Sequence, residues 1–354
     1  MTTSLRIAVI ASTRFPIGEP FAGGLEAHTW ALVRGLRQRG HRVTVFAGPG
    51  SDPTLDVEVL PVSRMALSDE AADDVSMPAR DWLADHHAYL TLMLQLAERT
   101  TAYDIVQNSS LHYLPLAMAR TLLMPMVCTL HTPPTPWLES AIQTGDCPVT
   151  FCAVSAHTAR AWRDRVPRLE VIANGVDPTV WKCGPGGGPL LWAGRIVPEK
   201  GPHLAMQAAL RAGLPLELVG PIGNDAYFAH EVQPLLGPTV RYVGHVTHRE
   251  LAQIAGRSSA ALVTPCWDEP YGLVAAEALS CGTPVAGFAR GALPDLLDAS
   301  CSLLVAPGDV PALADALPRA QQLSRTAARD HAVRHCSQDV MLQRYEQLYR
   351  RLAA

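Results

Sequence analysis

The sequence predicts an α/β protein of two doubly wound parallel-sheet domains facing each other across a cleft. Three observations lead there. At 354 residues the chain exceeds one ordinary domain. Short apolar runs of the buried parallel-strand type alternate with helical segments along most of its length. That alternation pauses at a glycine-rich stretch, Cys183 to Pro189, and resumes at Leu190. The expected boundary falls near Pro167, giving domains 1–167 and 168–337. A hydrophobic share of 48% supplies two large cores.

In the first domain Leu5 to Ala11 reads as a strand, followed by a long loop ending at Gly23-Gly24. Leu25 to Arg39 is helical, with Leu25, Thr29, Leu32, Val33 and Leu36 on one face and Gly40 as its stop. Arg42 to Ala47 and Asp56 to Leu60 are strands. Ser68 to Arg80 is polar and aperiodic, so a loop is expected. Asp81 to Arg99 is helical, with Trp82, Leu83, His86, Leu90, Met93, Leu94 and Ala97 expected to face inward. Asp104 to Gln107, Pro125 to Leu130 and Thr150 to Val154 are strands; His131 follows the second, and Ser155 caps the helix after the third. Leu169 to Ala173 is a further strand, with the turn Asn174-Gly175-Val176-Asp177 behind it.

Cys183 to Pro189 reads as a flexible connector. No G-K-[ST] follows it, so it is no phosphate loop. Beyond it, strands are expected at Leu190 to Ala193, Leu216 to Val219, Val240 to Val243, Ala260 to Thr264, Pro284 to Phe288 and Ser302 to Ala306. Helices are expected at Gly201 to Ala212, around Ala226 to Leu236, and at Arg249 to Arg257, Gly272 to Cys281 and Gln338 to Leu352.

The net charge of −4 is mild and disfavours a nucleic-acid partner. Eight scattered cysteines form no C-x-x-C, which suits thiols of a reducing cytoplasm. No apolar run approaches the length of a membrane span. The loop after Ala11 is not G-x-G-x-x-G, which disfavours a nicotinamide or flavin role.

Two stretches carry chemistry. In D-E-P-Y-G-L-V-A-A-E, Glu269 precedes a helix whose first N–H groups, at Tyr271, Gly272 and Leu273, are free to bind an anion or orient hydroxyls. Glu277 sits within an otherwise apolar helix, where a carboxylate is costly without a partner. A sugar or ribose diol meets that need; so would a core cation. In Gly194-Arg195-Ile196-Val197-Pro198-Glu199-Lys200-Gly201, Arg195 and Lys200 lie at a strand end beside a helix N-terminus. Two cations and a helix dipole suit a diphosphate, and an Arg195–Glu199 ion pair is the plainer alternative.

These stretches, with the Gly23-Gly24 loop, His131, N-G-V-D, R-Y-V-G-H at Arg241 to His245 and the E-x7-E of Glu269 and Glu277, occur in an order that resembles the retaining glycosyltransferases of family 4, the group 1 transferases. The resemblance spans nearly the whole chain. It implies the GT-B fold, two Rossmann-like domains with the C-terminal helix, 338–354, packed back on the first. It implies that Arg195 and Lys200 hold a nucleotide sugar's diphosphate, with Gly23 and Gly24 approaching it through backbone. Glu277 would accept ribose hydroxyls, and His245 and Val246 would face the base through backbone groups. Glu269, Tyr271, Gly272 and Leu273 would hold the sugar, and His131 would contact it near the reacting carbon. The catalytic set is therefore His131, Glu269, Arg195 and Lys200.

The family's reaction needs no cofactor, and no D-x-D motif stands out, so no metal is expected. The expected donor is UDP- or GDP-linked. The acceptor is a hydroxyl on a small natural product, a glycan or a lipid-linked molecule, which is also the one expected route to a membrane. The expected protein is a cytoplasmic monomer or homodimer. A sugar-nucleotide epimerase of the same fold and a non-catalytic nucleotide-sugar-binding subunit are the alternatives. Arg290-Gly291-Ala292, with Asp295, departs from the family's glycine-pair-and-acid pattern and leaves the donor's identity open.

Overall fold

A computed structural model describes residues 4–60, 65–76, 78–145 and 147–354. Two sheets form, and their strand pairs are parallel. The first contains β1 (Arg6–Ile10), β2 (Arg42–Ala47), β3 (Val57–Val59), β4 (Ile105–Asn108), β5 (Met126–Leu130), β6 (Thr150–Ala153) and β7 (Leu169–Val171), in the order β3-β2-β1-β4-β5-β6-β7. The second contains β8 (Leu190–Ala193), β9 (Leu216–Val219), β10 (Val240–Gly244), β11 (Ala261–Val263), β12 (Val285–Phe288) and β13 (Ser302–Val305), in the order β10-β9-β8-β11-β12-β13. Both orders reverse direction beside the sheet's first strand, at β1/β4 and at β8/β11. Such a reversal opens a crevice at the carboxyl ends of the strands.

The unbroken apolar runs follow from burial on both faces. Ile7 and Val9 of β1 pack with Leu32, Val33, Tyr345 and Tyr349 on one side. Ala8 and Ile10 pack with Tyr89, Met93 and Trp162 on the other. The helix Gln338–Ala353 does return to the first sheet. There Tyr349 Oη donates to Gln107 Oε1 at 2.8 Å, and Tyr345 Oη lies 3.0 Å from Thr129 Oγ1. Its close approach needs Gly35, where an added Cβ would stand 2.4 Å from Leu342 Cδ1.

Four expectations change. β7 lies beyond Pro167 yet pairs with β6 in the first sheet, so that sheet runs past the expected boundary. Ser68 to Arg80 holds one helical turn, Asp69–Ala72, because Ser68 caps it by accepting from Ala71 N; Met77 lies outside the described residues. In the helix Arg80–Glu98 the buried face is Ala88, Tyr89, Leu92, Met93 and Leu96, while Trp82 and Leu94 are exposed. Tyr89 selects that face: its hydroxyl donates to Ala11 O at 2.9 Å, drawing the ring under β1. The connector Cys183–Pro189 is pinned, not flexible. Gly186 N and Gly188 N donate to Gly256 O and Arg257 O, and Arg325 donates to the carbonyls of Gly184, Gly256, Ser258 and Cys281 at 2.8 to 3.2 Å.

Because that one guanidinium answers four carbonyls, Arg325→Ala is expected to destabilise the protein by on the order of 3 kcal/mol, with Arg325→Lys recovering part of the loss. A urea midpoint unchanged by both substitutions would contradict this.

The chain crosses between the lobes twice, at Ile172 to Val176 and again near Ser337. The crossings lie side by side: Val176 N donates to Cys336 O at 2.8 Å, and Gln338 N to Val176 O at 3.3 Å. Gly175 permits this, since a Cβ there would stand 2.3 Å from Gln338 Cα. Among the described residues no helix is long and apolar enough to cross a membrane.

Candidate active site

A cavity of about 610 Å³ lies between the lobes, within the range of small-molecule sites. Its walls are loops at the carboxyl ends of strands. From the first lobe come Ser12, Arg14, Gly23, Gly24, Glu26 and His131; from the second come Arg195, Lys200, His245, Val246, Glu269, Tyr271, Gly272, Leu273 and Glu277. Every residue expected from the sequence thus reaches one cavity.

Local backbone chemistry sets two of these loops. Gly201, at φ 60°, ends the turn that carries Lys200, and a Cβ there would stand 2.3 Å from Thr264 O. Gly272, at φ 96°, opens the helix Leu273–Ser280, where a Cβ would meet Leu293 Cδ2 at 2.7 Å. The intervening loop is held from the opposite lobe. Ser155 Oγ and Thr158 Oγ1 donate to Pro270 O at 2.5 and 3.0 Å, and Tyr271 Oη donates to Asn174 O at 2.6 Å. The Arg290-Gly291-Ala292 departure packs here too, with Ala292 N donating to Glu269 O at 2.8 Å.

The charged groups fall into two sets. Lys200 Nζ donates to Glu269 Oε2 at 2.6 Å, Trp267 Nε1 donates to the same oxygen at 3.3 Å, and Lys200 stands 5.0 Å from the Trp267 ring centre. The second set lacks close partners among the described residues. Arg195 Nε is buried without one, and the Arg195–Glu199 contact is long, at 3.9 Å. Glu277 is 8% exposed, and no hydrogen bond or ion pair reaches its carboxylate from the described side chains. Burial alone pushes its carboxyl up to about 8.

On the first-lobe side, His131 is buried with Nε2 unpartnered, and its ring meets His28 edge to face at 4.9 Å. Burial, with His28 beside it, holds the His131 imidazole well below its ordinary range, so it is neutral. Gly24 faces the second lobe closely: a Cβ there would stand 3.1 Å from Leu273 Cδ1. His245 and Val246 lie on the cavity wall, where the base was expected to meet their backbone groups, while the His245 side chain serves another purpose. Its Nε2 donates to Phe21 O at 2.9 Å and ties the lobes together.

Sequence reasoning missed Glu26, Asn174 and His28. Glu26 is 5% exposed on the cavity wall; burial raises its carboxyl, with Arg195 and Arg14 acting in the opposite sense. Its signal was an acid three residues after Gly23, in the first turn of a helix. Asn174 lines the cavity with Oδ1 buried and unpartnered; the N-G-V-D turn pointed to it. His28, pushed down to about 4 by burial, left no mark in the sequence. Among the described residues the one cluster with metal-ligand spacing, Asp298, Cys301 and His331, does not line the cavity.

Comparison with known proteins places this geometry. The chain is 29% identical over 357 residues to a glycogen synthase of Mycobacterium tuberculosis, covering 87% of this chain and 86% of that protein. It is likewise 29% identical to a D-inositol 3-phosphate glycosyltransferase of Frankia alni, covering 84% and 86%. Its fold matches a sucrose-phosphate synthase from Thermosynechococcus elongatus, with TM-score 0.78, 20% identity and coverage of 98% and 99%. It also matches Anabaena HepE in complex with UDP-glucose, with TM-score 0.76, 18% identity and coverage of 98% and 100%. The model for Glycosyltransferase Family 4 matches residues 22–180, and that for Glycosyl transferases group 1 matches residues 188–322. With one model on each lobe and the GT-B architecture joining them, the chain belongs to the group 1 glycosyltransferases of family 4.

Proposed function

We propose that the protein moves a sugar from a nucleotide-diphosphate donor to a hydroxyl acceptor, with retained anomeric configuration and without a metal ion. The observation that carries this reading is the convergence of Arg195, Lys200, Glu269 and the unpartnered, buried Glu277 on one inter-lobe cavity. Glu277 accepts the ribose hydroxyls, which supply the donors its surroundings lack. Arg195 and Lys200 take the diphosphate, beside backbone N–H groups opening the helix Leu273–Ser280. The solved HepE complex with UDP-glucose supports a uridine nucleotide.

In the transfer, the bond from the anomeric carbon to the phosphate oxygen breaks and one to the acceptor oxygen forms. The acceptor's proton passes to the leaving phosphate oxygen on the same face. Negative charge grows on the diphosphate, where two preorganised cations meet it. Neutral His131 offers a hydrogen bond near the reacting carbon without competing for that charge. Glu269 is held by Lys200 and Trp267, which suits a hydroxyl-binding role better than an attacking one.

The expected result is nucleotide-dependent transfer at an unchanged rate after exhaustive dialysis against EDTA, with a product of the donor's anomeric configuration by NMR. A rate restored only by added Mg²⁺ or Mn²⁺, or an inverted product, would overturn the corresponding part. Turnover of the donor with no acceptor present would favour an epimerase.

A further inference from the structure

The donor machinery leaves one feature of the first lobe unused. Around the ends of β1, β4 and β5, rings gather from three segments: Trp82 and His86 on the helix Arg80–Glu98, His112 and Tyr113 after β4, and Trp137 after β5. Trp82 stacks on His86 at 5.1 Å, Tyr113 lies 5.4 Å from Trp137, and the two tryptophan rings meet at 6.3 Å and 72°. Both tryptophans are exposed, at 38% and 36%. Two exposed indoles in contact make one apolar patch, and such patches mark ligand-binding grooves where single exposed rings do not.

The rings are held in place. His112 Nδ1 accepts from Leu114 N at 3.1 Å, and the ring braces Trp137 edge to face at 4.8 Å. Tyr113 Oη lies 3.2 Å from His86 Nδ1. The wall adjoins the donor cavity along the chain, although the ring residues themselves do not line it. Leu111 and Thr132, on the same two loops, line that cavity. Asp85, one helical turn from Trp82, bonds Thr13 beside cavity-lining Arg14.

We propose that this wall is the acceptor subsite and that it takes a neutral saccharide ring. The proposal rests on the transferase reading above. A pyranose presents a face of C–H groups that covers an indole and a rim of hydroxyls that stay wet, and two tryptophans at a corner fit that shape. The charges argue against a phosphorylated acceptor. The chain segments carrying the rings include the acids Asp81, Asp85 and Glu139, which repel a phosphate, and the Arg165 guanidinium is bonded to Glu139 at 2.9 Å. Among the described first-lobe residues that line the cavity, Arg14 is the one Lys or Arg.

The test titrates maltotriose and, separately, glucose 6-phosphate into the full chain with and without saturating UDP, read by tryptophan fluorescence and calorimetry. Maltotriose is expected to bind. Trp82→Ala and Trp137→Ala should each weaken it about tenfold, and Trp137→Phe should hold it near the parent value. UDP affinity and melting temperature should not move in any variant. Maltotriose binding unaffected by both alanine variants, or binding of glucose 6-phosphate alone, would overturn the proposal. Failure of UDP to bind the parent protein would instead strike the transferase reading, while the titration without nucleotide still decides the wall.

Discussion

Lys200→Ala is expected to lower kcat/KM by about a thousandfold and to weaken UDP binding by about a hundredfold. The pairing of Lys200 with Glu269 makes the loss so large. Lys200 Nζ sits 2.6 Å from Glu269 Oε2, and the Glu269 side chain is only 13% exposed. Without the ammonium, that carboxylate keeps one indole N–H and presents uncompensated charge to an incoming diphosphate. Glu269→Ala should behave differently. It frees Lys200 for the phosphates, so UDP affinity should hold or tighten while kcat falls about a hundredfold. Calorimetry with UDP beside steady-state rates separates the two variants. Equal loss of affinity in both would undo the division of roles.

Glu277→Gln should weaken UDP binding by one to two orders of magnitude, roughly the worth of a charged double hydrogen bond. It should also stabilise the empty protein in a pH-dependent way. Burial raises this carboxyl in the folded state to about 8, against an unfolded value near 4.5. Between those values the folded chain holds a proton that the unfolded chain has released. Stability of the parent therefore falls as pH rises through that window, and levels off above it. The glutamine variant has no such proton, so its advantage should widen by on the order of a few kcal/mol between pH 5.5 and pH 8.5. Parallel melting of the two proteins across that range would show that Glu277 already has a partner in the empty cleft.

The strands were legible because parallel strands buried on both faces are written as unbroken apolar runs. Arg42–Ala47 and Leu190–Ala193 fall where the sequence places them. Helical faces were less so. Trp82 and Leu94 are apolar yet exposed, while Tyr89 carries a hydroxyl and is buried, so apolarity alone chose the wrong stripe of Arg80–Glu98. Composition also misled at Cys183–Pro189. Its glycines serve close approach, as at Gly184, where a Cβ would stand 2.4 Å from Gly256 O. In the site, residues within one loop motif, such as Arg195 with Lys200 or Glu269 with Tyr271, could be read directly. Glu26 and Asn174 showed only as an acid in a first helical turn and as part of N-G-V-D, and His28 not at all, because their surroundings come from segments far away in the chain and a lone side chain in sequence states nothing about its burial.

The stitched pair of crossings has a mechanical consequence. Two ropes fastened to each other at one knot let the masses they join swing but resist their twisting. An opening of this molecule is expected to pivot near Val176 and Cys336, with Asn174 beside the axis. The Tyr271 hydroxyl is moored to that residue and travels least during such a swing, whereas Phe21 and His245 must let go of each other. Admission of the activated sugar and its seating are thus governed by different contacts, one that unlatches and one that stays fast.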